Sequence, residues 1–466
     1  MYSGSRVAPA ALLSVRLIAI LGLLLCVAES IQSQEGSADP FFATIPFAEW
    51  VAEASASAPN APGPFHWNPK IRIGDLSRYQ RIAGEIEIQV DGIDLAKRRE
   101  HDSLELLTQI TAENGGVFQY HKSLDLDQVS EATAKSDIYY TQTFYAIPGE
   151  YRVAFGIYDK VSGERAVVLR TFRVNTLKND PLPATWGRLP AIEFARESMA
   201  LDDLFLPYLA PLPLPVKARQ PVEVQLLVNT ASTPPNLPDY RRFASLGQAD
   251  RQESLNATQR NLSDVVAAMK VISGVEVQGG SLALSVLDVS RQKKVFDQIL
   301  WQGAEGRPLD WPALREALAQ ADPHKIDVRA LEKRALSARF FLEQVRKHIA
   351  VEPVPEDPPK VLIVLSGPLE LSRQESQSIF ENVKPGTRVF FIRYHSPLPR
   401  PPFLMPRMDR FSRRSGQVAP EVVAAMEPYD SLGSLLKPLR PKSFDVYDAE
   451  QFRKALAAIL TELAKL

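Results

Sequence analysis

The chain has 466 residues, of which 45% are hydrophobic and 23% are charged, and its 54 basic and 55 acidic side chains give a net charge of −1. This composition is typical of a folded globular protein and excludes wholesale disorder. The near-zero charge excludes a global field that would attract nucleic acid or an anionic membrane. The length predicts two or three domains, and we favour two.

The N-terminus has the layout of a secretory signal peptide. Arg6 and Arg16 precede an apolar run over residues 17–28, which is followed by polar residues. The run is shorter than the roughly 20 apolar residues of a membrane span. We therefore predict that residues 1–34 are a signal peptide and that the protein is exported to the periplasm or the extracellular space. An uncleaved leader that tethers the protein to a membrane is the alternative.

The only cysteine, Cys26, lies inside this apolar run. A chain cleaved after the leader would therefore have no disulfide, thiolate metal ligand or thiol nucleophile. Acylation of Cys26 as a lipoprotein needs a small residue just before it, but Leu25 stands there. The sequence favours a cysteine that serves as one more apolar residue, in a bacterial envelope protein stabilised by packing alone.

Residues 35–64 are rich in Ala, Ser, Pro and Gly and are interpreted as a low-complexity leader segment, part of which docks through its aromatic side chains. Residues 65–176 then alternate apolar and polar positions, which indicates strands with one buried face. We interpret them as an antiparallel β-sandwich of immunoglobulin-like type. The predicted strands are Glu85–Val90, Leu104–Ile110, Ile138–Ala146, Tyr151–Tyr158 and Ala166–Val174.

Two turns punctuate these strands. The last two strands flank a turn-rich connection in which Gly163 supplies a positive φ, so they are predicted to form a hairpin. Pro148 and Gly149 predict a second tight turn. The predicted strand before these turns contains four aromatic residues. They have two interpretations, a carbohydrate-stacking surface or a half-buried strand, and their alternation favours the second. They are Tyr139, Tyr140, Phe144 and Tyr145.

Residues 177–217 are proline-rich and are predicted to be an ordered connector that contains the domain boundary. Strand and helix patterns alternate over residues 218–466, which predicts a doubly wound, Rossmann-like α/β domain. The predicted strands are Val222–Val228, Leu282–Leu287, Lys360–Leu365, Arg388–Tyr394 and Phe444–Val446. The predicted helices are Leu262–Ile272, Trp311–Gln320, Asp327–Ile349, Glu370–Val383 and Ala449–Leu466.

The first strand of this domain ends in Val228-Asn229-Thr230-Ala231-Ser232-Thr233. Here the chain resembles the von Willebrand factor A domain family and its bacterial exported relatives, in which this strand ends in Asp-x-Ser-x-Ser and helps to hold a magnesium ion. The resemblance covers roughly residues 218–466 and depends on architecture more than on motif identity.

The ligands that the family uses for the metal are replaced in this chain. Asn229 stands in place of the family's aspartate, Ala231 replaces a serine, and only Thr233 keeps a hydroxyl. The apolar strand over 360–365 is followed by Ser366 where the family usually has aspartate. Because Mg²⁺ prefers oxygen ligands with nearby carboxylate charge, the resemblance implies a degenerate metal-ion-dependent adhesion site that holds no metal. The four positions remain a candidate ligand-contact surface.

Little else in the sequence points to chemistry. No nucleotide-binding, zinc-protease or serine-hydrolase motif is present, and the six histidines do not pair at metal-ligand spacing. One loop concentrates positive charge among prolines, and two interpretations remain open: a site for an anionic ligand, or a solvated surface loop. Its arginines are Arg400, Arg407, Arg410, Arg413 and Arg414.

We therefore predict a non-catalytic, exported protein that binds protein partners and needs no cofactor or metal. An envelope-anchored structural or assembly scaffold is the alternative. A hydrolase whose site is assembled at the strand ends of the α/β domain is a less favoured one, because the sequence provides no specific triad.

Overall fold

The computed structural model describes residues 38–56, 63–98, 103–126, 129, 136–195, 209–231, 262–321, 333–349, 357–369, 371, 380, 387–395 and 431–466. The described chain mixes α-helices with antiparallel sheets, a seven-stranded sheet that is largely parallel and a short two-stranded parallel sheet. It divides into two compact units. The first takes in residues 38–75, 82–180 and 184–195, and the second takes in 76–81, 181–183 and the residues beyond 195.

The first unit is mainly β. Its elements are a 3-10 helix over Pro40–Thr44, α1 (Phe47–Ala56), β1 (Trp67–Leu76), β2 (Ile82–Val90), α2 (Gly92–Lys97), β3 (Ser103–Ala112), β4 (Val117–Asp125), β5 (Ile138–Ala146), β6 (Gly149–Asp159), β7 (Arg165–Val174), a 3-10 helix over Pro183–Arg188 and β8 (Ile192–Phe194).

Two four-stranded sheets, in the orders β1-β2-β5-β8 and β4-β3-β6-β7, make up this unit. The strands β2 and β5, β5 and β8, β3 and β4, β3 and β6, and β6 and β7 pair in antiparallel fashion. Ile86 and Phe144 from the first sheet join Leu104 and Phe155 from the second in one hydrophobic core. All five strands predicted for this region are confirmed.

The hairpin predicted at β6 and β7 is also confirmed, with Tyr158 opposite Arg165 beside the turn. Gly163 adopts φ +74° there, and the Asp159 carboxylate accepts hydrogen bonds from the backbone N–H groups of Val161 and Ser162. The connection at Pro148 and Gly149 is different from the prediction. It joins strands of different sheets, and Gly149 is not in a positive-φ conformation.

The aromatic residues of β5 lie mostly in the core, as the alternation indicated. Phe144 and Tyr145 are buried, and Tyr140 packs against the core while its hydroxyl lies 3.1 Å from that of Tyr120. Tyr139 faces solvent. Three of the four rings are therefore occupied with packing.

The second unit carries the α/β elements. They are β9 (Leu214–Val216), β10 (Glu223–Asn229), α3 (262–272), β11 (Val275–Val277), β12 (Ser281–Asp288), β13 (Lys293–Gln302), β14 (Glu305–Gly306), α4 (Trp311–Ala321), α5 (Arg334–Lys347), β15 (Lys360–Ser366), β16 (Thr387–Tyr394), α6 (Leu432–Leu436), β17 (Lys442–Val446) and α7 (Ala449–Ala464).

Its main sheet has seven strands in the order β14-β13-β12-β10-β15-β16-β17. Strands β12, β10, β15, β16 and β17 run parallel to one another. The six residues 361–366 of β15 are all buried, as expected of a strand covered on both faces. The five predicted strands and the helices α3, α4 and α7 are confirmed. The helix predicted over Asp327–Ile349 is confirmed as α5, while residues 327–332 lie outside the described residues. The helix predicted over Glu370–Val383 lies almost wholly outside the described residues.

Three expectations need correction. Strict alternation of strand and helix fails after β12, because β13 follows directly and pairs with it in antiparallel fashion. The connector over 177–217 contributes β8, which pairs with β5, and β9, which pairs with β11. The leader segment contains the regular helix α1. The short strands β8 and β9 and the helix α1 lie in stretches whose composition indicated loop.

The glycine at the hairpin turn offers a test of the first unit. Gly163→Ala is expected to lower the free energy of unfolding by about 1 kcal/mol, because an L side chain at positive φ is strained. The matched control is Gly187→Ala, since a Cβ at either position meets no atom within 4 Å but only Gly163 has positive φ. Urea unfolding of both variants measures the difference. Equal effects would contradict the assigned turn.

Candidate functional site

The strand order of the main sheet reverses between β10 and β15, which makes this a topological switch point. From β10 the chain adds β12 and β13 on one side, then returns to add β15, β16 and β17 on the other. In open α/β sheets, ligands bind outside the carboxyl ends of the strands at such a switch point. Asn229 and Ser366 are the last residues of β10 and β15 and lie opposite each other in the register. They therefore define the candidate site.

The Asn229 carboxamide is buried and its hydrogen bonds are made within the protein. Asn229 is only 3% exposed to solvent. The Oδ1 atom accepts from the backbone N–H groups of Ala231 at 3.0 Å and Val289 at 3.3 Å, and Nδ2 donates to Ser366 Oγ at 2.9 Å. Two backbone donors beside Oδ1 fix the orientation of the amide. Both lone pairs of Oδ1 are thus used by the backbone.

The residues around Asn229 complete a closed arrangement. Ser366 Oγ accepts from the amide and donates to the carbonyl of Gly367 at 2.6 Å. Thr230 is tied back to β12, because its backbone N–H and its hydroxyl both donate to the carbonyl of Leu287. The methyl group of Ala231 packs against the core below the site. The structure therefore brings together three of the four predicted contact positions.

Thr233 and the arginines of the predicted anion-binding loop lie outside the described residues. These arginines are Arg400, Arg407, Arg410, Arg413 and Arg414.

A carboxylate next to the site escaped the sequence analysis. Asp288 ends β12, and its carboxylate is buried. It accepts hydrogen bonds from the backbone N–H of Arg291 and the hydroxyl of Ser290, and its Oδ2 lies 3.1 Å from Arg291 Nη1. Arg291 also donates to the carbonyl of Ala321. The rule that function lies at strand ends could have found Asp288, but its charge is neutralised within its own loop.

A second polar cluster lies at the same edge of the sheet, at the ends of β16 and β17. Asp445 Oδ1 is 2.7 Å from Arg393 Nε and 2.9 Å from His395 Nε2. The His395 ring stacks on Tyr447 with centroids 4.5 Å apart. Among the described residues nothing bonds to His395 Nδ1, which is buried. The sequence analysis missed this cluster because its members are about fifty residues apart in the chain.

The charges in this cluster are balanced. Burial raises the pKa of the Asp445 carboxyl, but the hydrogen bonds from His395 and Arg393 outweigh it, so the pKa lies below its usual value. Asp445 is therefore a carboxylate at neutral pH and holds both neighbours in place. The exposed ring of Tyr447 then marks the surface of the cluster.

Neither cluster forms a metal centre with the residues at hand. Within the part of the chain that the structure describes, no group of three His, Cys, Asp or Glu residues is placed to hold an ion.

In the same residues no helix is long and apolar enough to cross a membrane.

Comparisons with known proteins give only distant structural likenesses. No protein-family model matches the sequence, and no curated protein matches it. A structural-genomics target described as SoR45 is 16% identical, and the alignment covers 26% of this chain and 90% of that one with a TM-score of 0.15. A Bordetella pertussis protein described as ApaA is 12% identical, with 26% and 100% covered and a TM-score of 0.17. TM-scores this low carry no argument about fold or function.

The hydrogen bonds of Asn229 predict which of two substitutions lowers the free energy of unfolding more. Asn229→Ala leaves the N–H groups of the buried Val289 and the partly buried Ala231 without an acceptor and should lower the free energy of unfolding by about 2–4 kcal/mol. Ser366→Ala removes one partner of the amide and should cost about 1 kcal/mol. Chemical denaturation of the single and double variants measures both values and their coupling. Since the residues touch, the double variant should cost less than the sum. An Asn229→Ala variant as stable as Ser366→Ala would contradict the assigned hydrogen bonds.

Proposed function

We propose that the protein is a non-catalytic, exported interaction protein, in which an immunoglobulin-like β-sandwich precedes a von Willebrand A-like domain with no working metal site. Counted from β10, the strand order of the main sheet is 3-2-1-4-5-6, that of Rossmann-like, doubly wound folds. The third strand is reversed, and β14 is an addition at the edge. This order supports the architecture that the sequence resemblance implies.

The observation that carries the proposal is the closed hydrogen bonding of Asn229. A metal ligand must aim a lone pair at the ion, and charged oxygen donors are preferred by Mg²⁺. At the switch point, the neutral Oδ1 faces two backbone N–H groups, and Ser366 Oγ is occupied by Asn229 and Gly367. Removing these contacts would leave buried donors unpaired, which is costly. The position therefore favours a scaffold that binds without metal.

The carboxyl edge of the sheet presents side chains of the kind that protein partners contact. Tyr447 is half exposed and its ring is held by stacking on His395. Rigid aromatic side chains beside arginine are typical of the residues that dominate protein–protein binding energy. Arg393 lies in the same cluster, fixed by Asp445.

At the described strand ends of the α/β domain, the His395–Asp445 pair is the observation that favours a hydrolase. A general base needs a nitrogen that substrate can reach. However, Nε2 is bonded to Asp445, and Nδ1 is buried. Asp445 is in addition shared with Arg393. This geometry is better suited to positioning Tyr447 than to proton transfer.

The scaffold alternative differs in where the protein resides. An uncleaved leader would keep the chain in the membrane fraction, whereas a cleaved one would release it. Fractionation of cells that express the full chain, with the N-terminus of the product sequenced, separates the two.

A metal titration tests the closed site. The chain from residue 35 onward is expected to release no heat with Mg²⁺, Mn²⁺ or Ca²⁺ in calorimetry and to keep its melting temperature with each. Specific binding would add RT ln(1 + [ion]/Kd) to the free energy of unfolding and would therefore raise the melting temperature. The matched control is Thr233→Ala. Binding by the wild type that disappears in this variant would overturn the proposal and restore a metal-dependent adhesion site.

Photo-crosslinking tests the partner surface. A photoreactive residue at Tyr447, at the carboxyl edge, is expected to capture envelope proteins in cells that export the chain. The control position is Ile299 in β13, which is exposed to a similar extent, at 51% against 49% for Tyr447. It lies opposite Ala283 near the start of β12, away from the carboxyl ends of the parallel strands. Adducts enriched at position 447 support the proposal. Equal capture at both positions, or none at either, would count against this edge as the binding surface.

A further inference from the structure

The sheet β4-β3-β6-β7 has a second hydrophobic cluster on the face turned away from the core. Residues 38–56, here called the arm, supply Phe42, Phe47 and Trp50, which pack against Leu107 of β3 and Ala154 of β6. All five are buried. A sheet face exposed to water is normally polar. This face is apolar because the arm covers it, and we call it the groove.

The groove contains a position shaped for one ring of the arm. Gly156 lies in the interior of β6, where glycine weakens a strand. A Cβ at this position would lie 2.7 Å from Phe47 Cε2 and 3.1 Å from Leu107 Cβ. The missing side chain therefore makes the space that Phe47 fills. Glycine inside a strand is expected where another part of a chain approaches closely.

Charges complement each other at the start of the arm. Asp39 Oδ2 accepts from the backbone N–H of His121 at 3.1 Å and lies 2.7 Å from its Nδ1. The ring of Phe41 stacks on that of His121, with centroids 4.5 Å apart. Lys160 Nζ lies 4.9 Å from the centre of the Phe41 ring and 2.6 Å from Glu105 Oε1.

A second charged contact lies on the arm's helix. Arg165 of β7 lies 2.8 Å from Glu53 Oε2, and its guanidinium lies 4.8 Å from the centre of the Trp50 ring. The groove is thus apolar in the middle and basic at both ends, and the arm carries the matching aromatic and acidic groups. It uses the helix-in-groove mode of recognition, with anchors three residues apart at Phe47 and Trp50.

The arm is held by side-chain contacts rather than by strand pairing. Among the described residues, none of the arm belongs to a sheet. It can therefore leave the groove without breaking a ladder of backbone hydrogen bonds.

We propose that the groove also accepts the arm of a second copy of the chain, so that two copies exchange arms and form a dimer. The occupant is chosen on fit: the ring that Gly156 accommodates and the acidic groups that His121 and Arg165 bind belong to this chain's own arm. An exchanged arm makes the same contacts as a closed one. The protein concentration then sets the balance between monomer and dimer.

Two complementary variants test the exchange in the chain from residue 35 onward. Gly156→Ala keeps an intact arm but blocks the groove, and the double variant Phe47→Ala/Trp50→Ala keeps an intact groove but strips the arm. Each variant alone is expected to lose dimer at least tenfold relative to wild type. A mixture of the two, with one partner labelled with ¹⁵N, is expected to give heterodimer in native mass spectrometry, because one intact arm then meets one intact groove.

The matched control is Gly187→Ala, where a Cβ meets no atom within 4 Å, and it should dimerise like wild type. A second measurement covers the case in which a variant fails to fold, as judged by circular dichroism. Labelled and unlabelled wild-type chains should form mixed dimers that an excess of a synthetic peptide of residues 38–56 dissolves. A wild type that stays monomeric at all concentrations, a dimer that resists the peptide, or folded variants that give no heterodimer would each overturn the proposal.

Discussion

The central strand β10 is the constraint on which the second unit depends. It is hydrogen-bonded on both sides, to β12 and to β15, and both its faces are covered. A strand in that position is expected to be largely apolar, and residues 226–228 are apolar and buried. Asn229 is the buried polar residue at which this apolar run ends. Its three hydrogen bonds tie β10 to the loop after β12 and to the end of β15, which makes the switch point a junction of three segments.

The sequence predicts the buried strands well, because burial on both faces leaves a continuous apolar run. Residues 361–365 of β15 are such a run, and the strand was predicted almost to its ends. The strand β13 was missed for the opposite reason. It lies near the edge of the sheet with a mixed pattern of exposure, and two register shifts against β12 interrupt its alternation. A bulge of this kind disrupts the periodicity on which sequence prediction depends.

The residues of the candidate site likewise fall into those that the sequence predicts and those that it does not. Its location followed from the rule that function lies at strand ends, and Asn229 and Ser366 were found because each directly follows an apolar run. The cluster of Arg393, His395 and Asp445 was not found. Arg393 and Asp445 come together only because β16 and β17 are paired in parallel register, and no local pattern in the sequence encodes that pairing. The arm was partly foreseen from its aromatic residues, but its alanine-rich composition concealed the helix.

The position of the arm in the sequence has a consequence for the order in which the parts of the first unit fold. The arm lies near the N-terminus, while its groove is built from β3, β6 and β7, which are synthesised much later. Phe47 and Trp50 must therefore remain without their partners until the sheet has formed. Contacts that close such long loops form late, because the entropy of closure has to be overcome first. Newly made chains thus pass through an interval in which aromatic arms and apolar grooves are both uncovered. In the proposed exchange, the local concentration of newly made chains then decides which arm finds which groove.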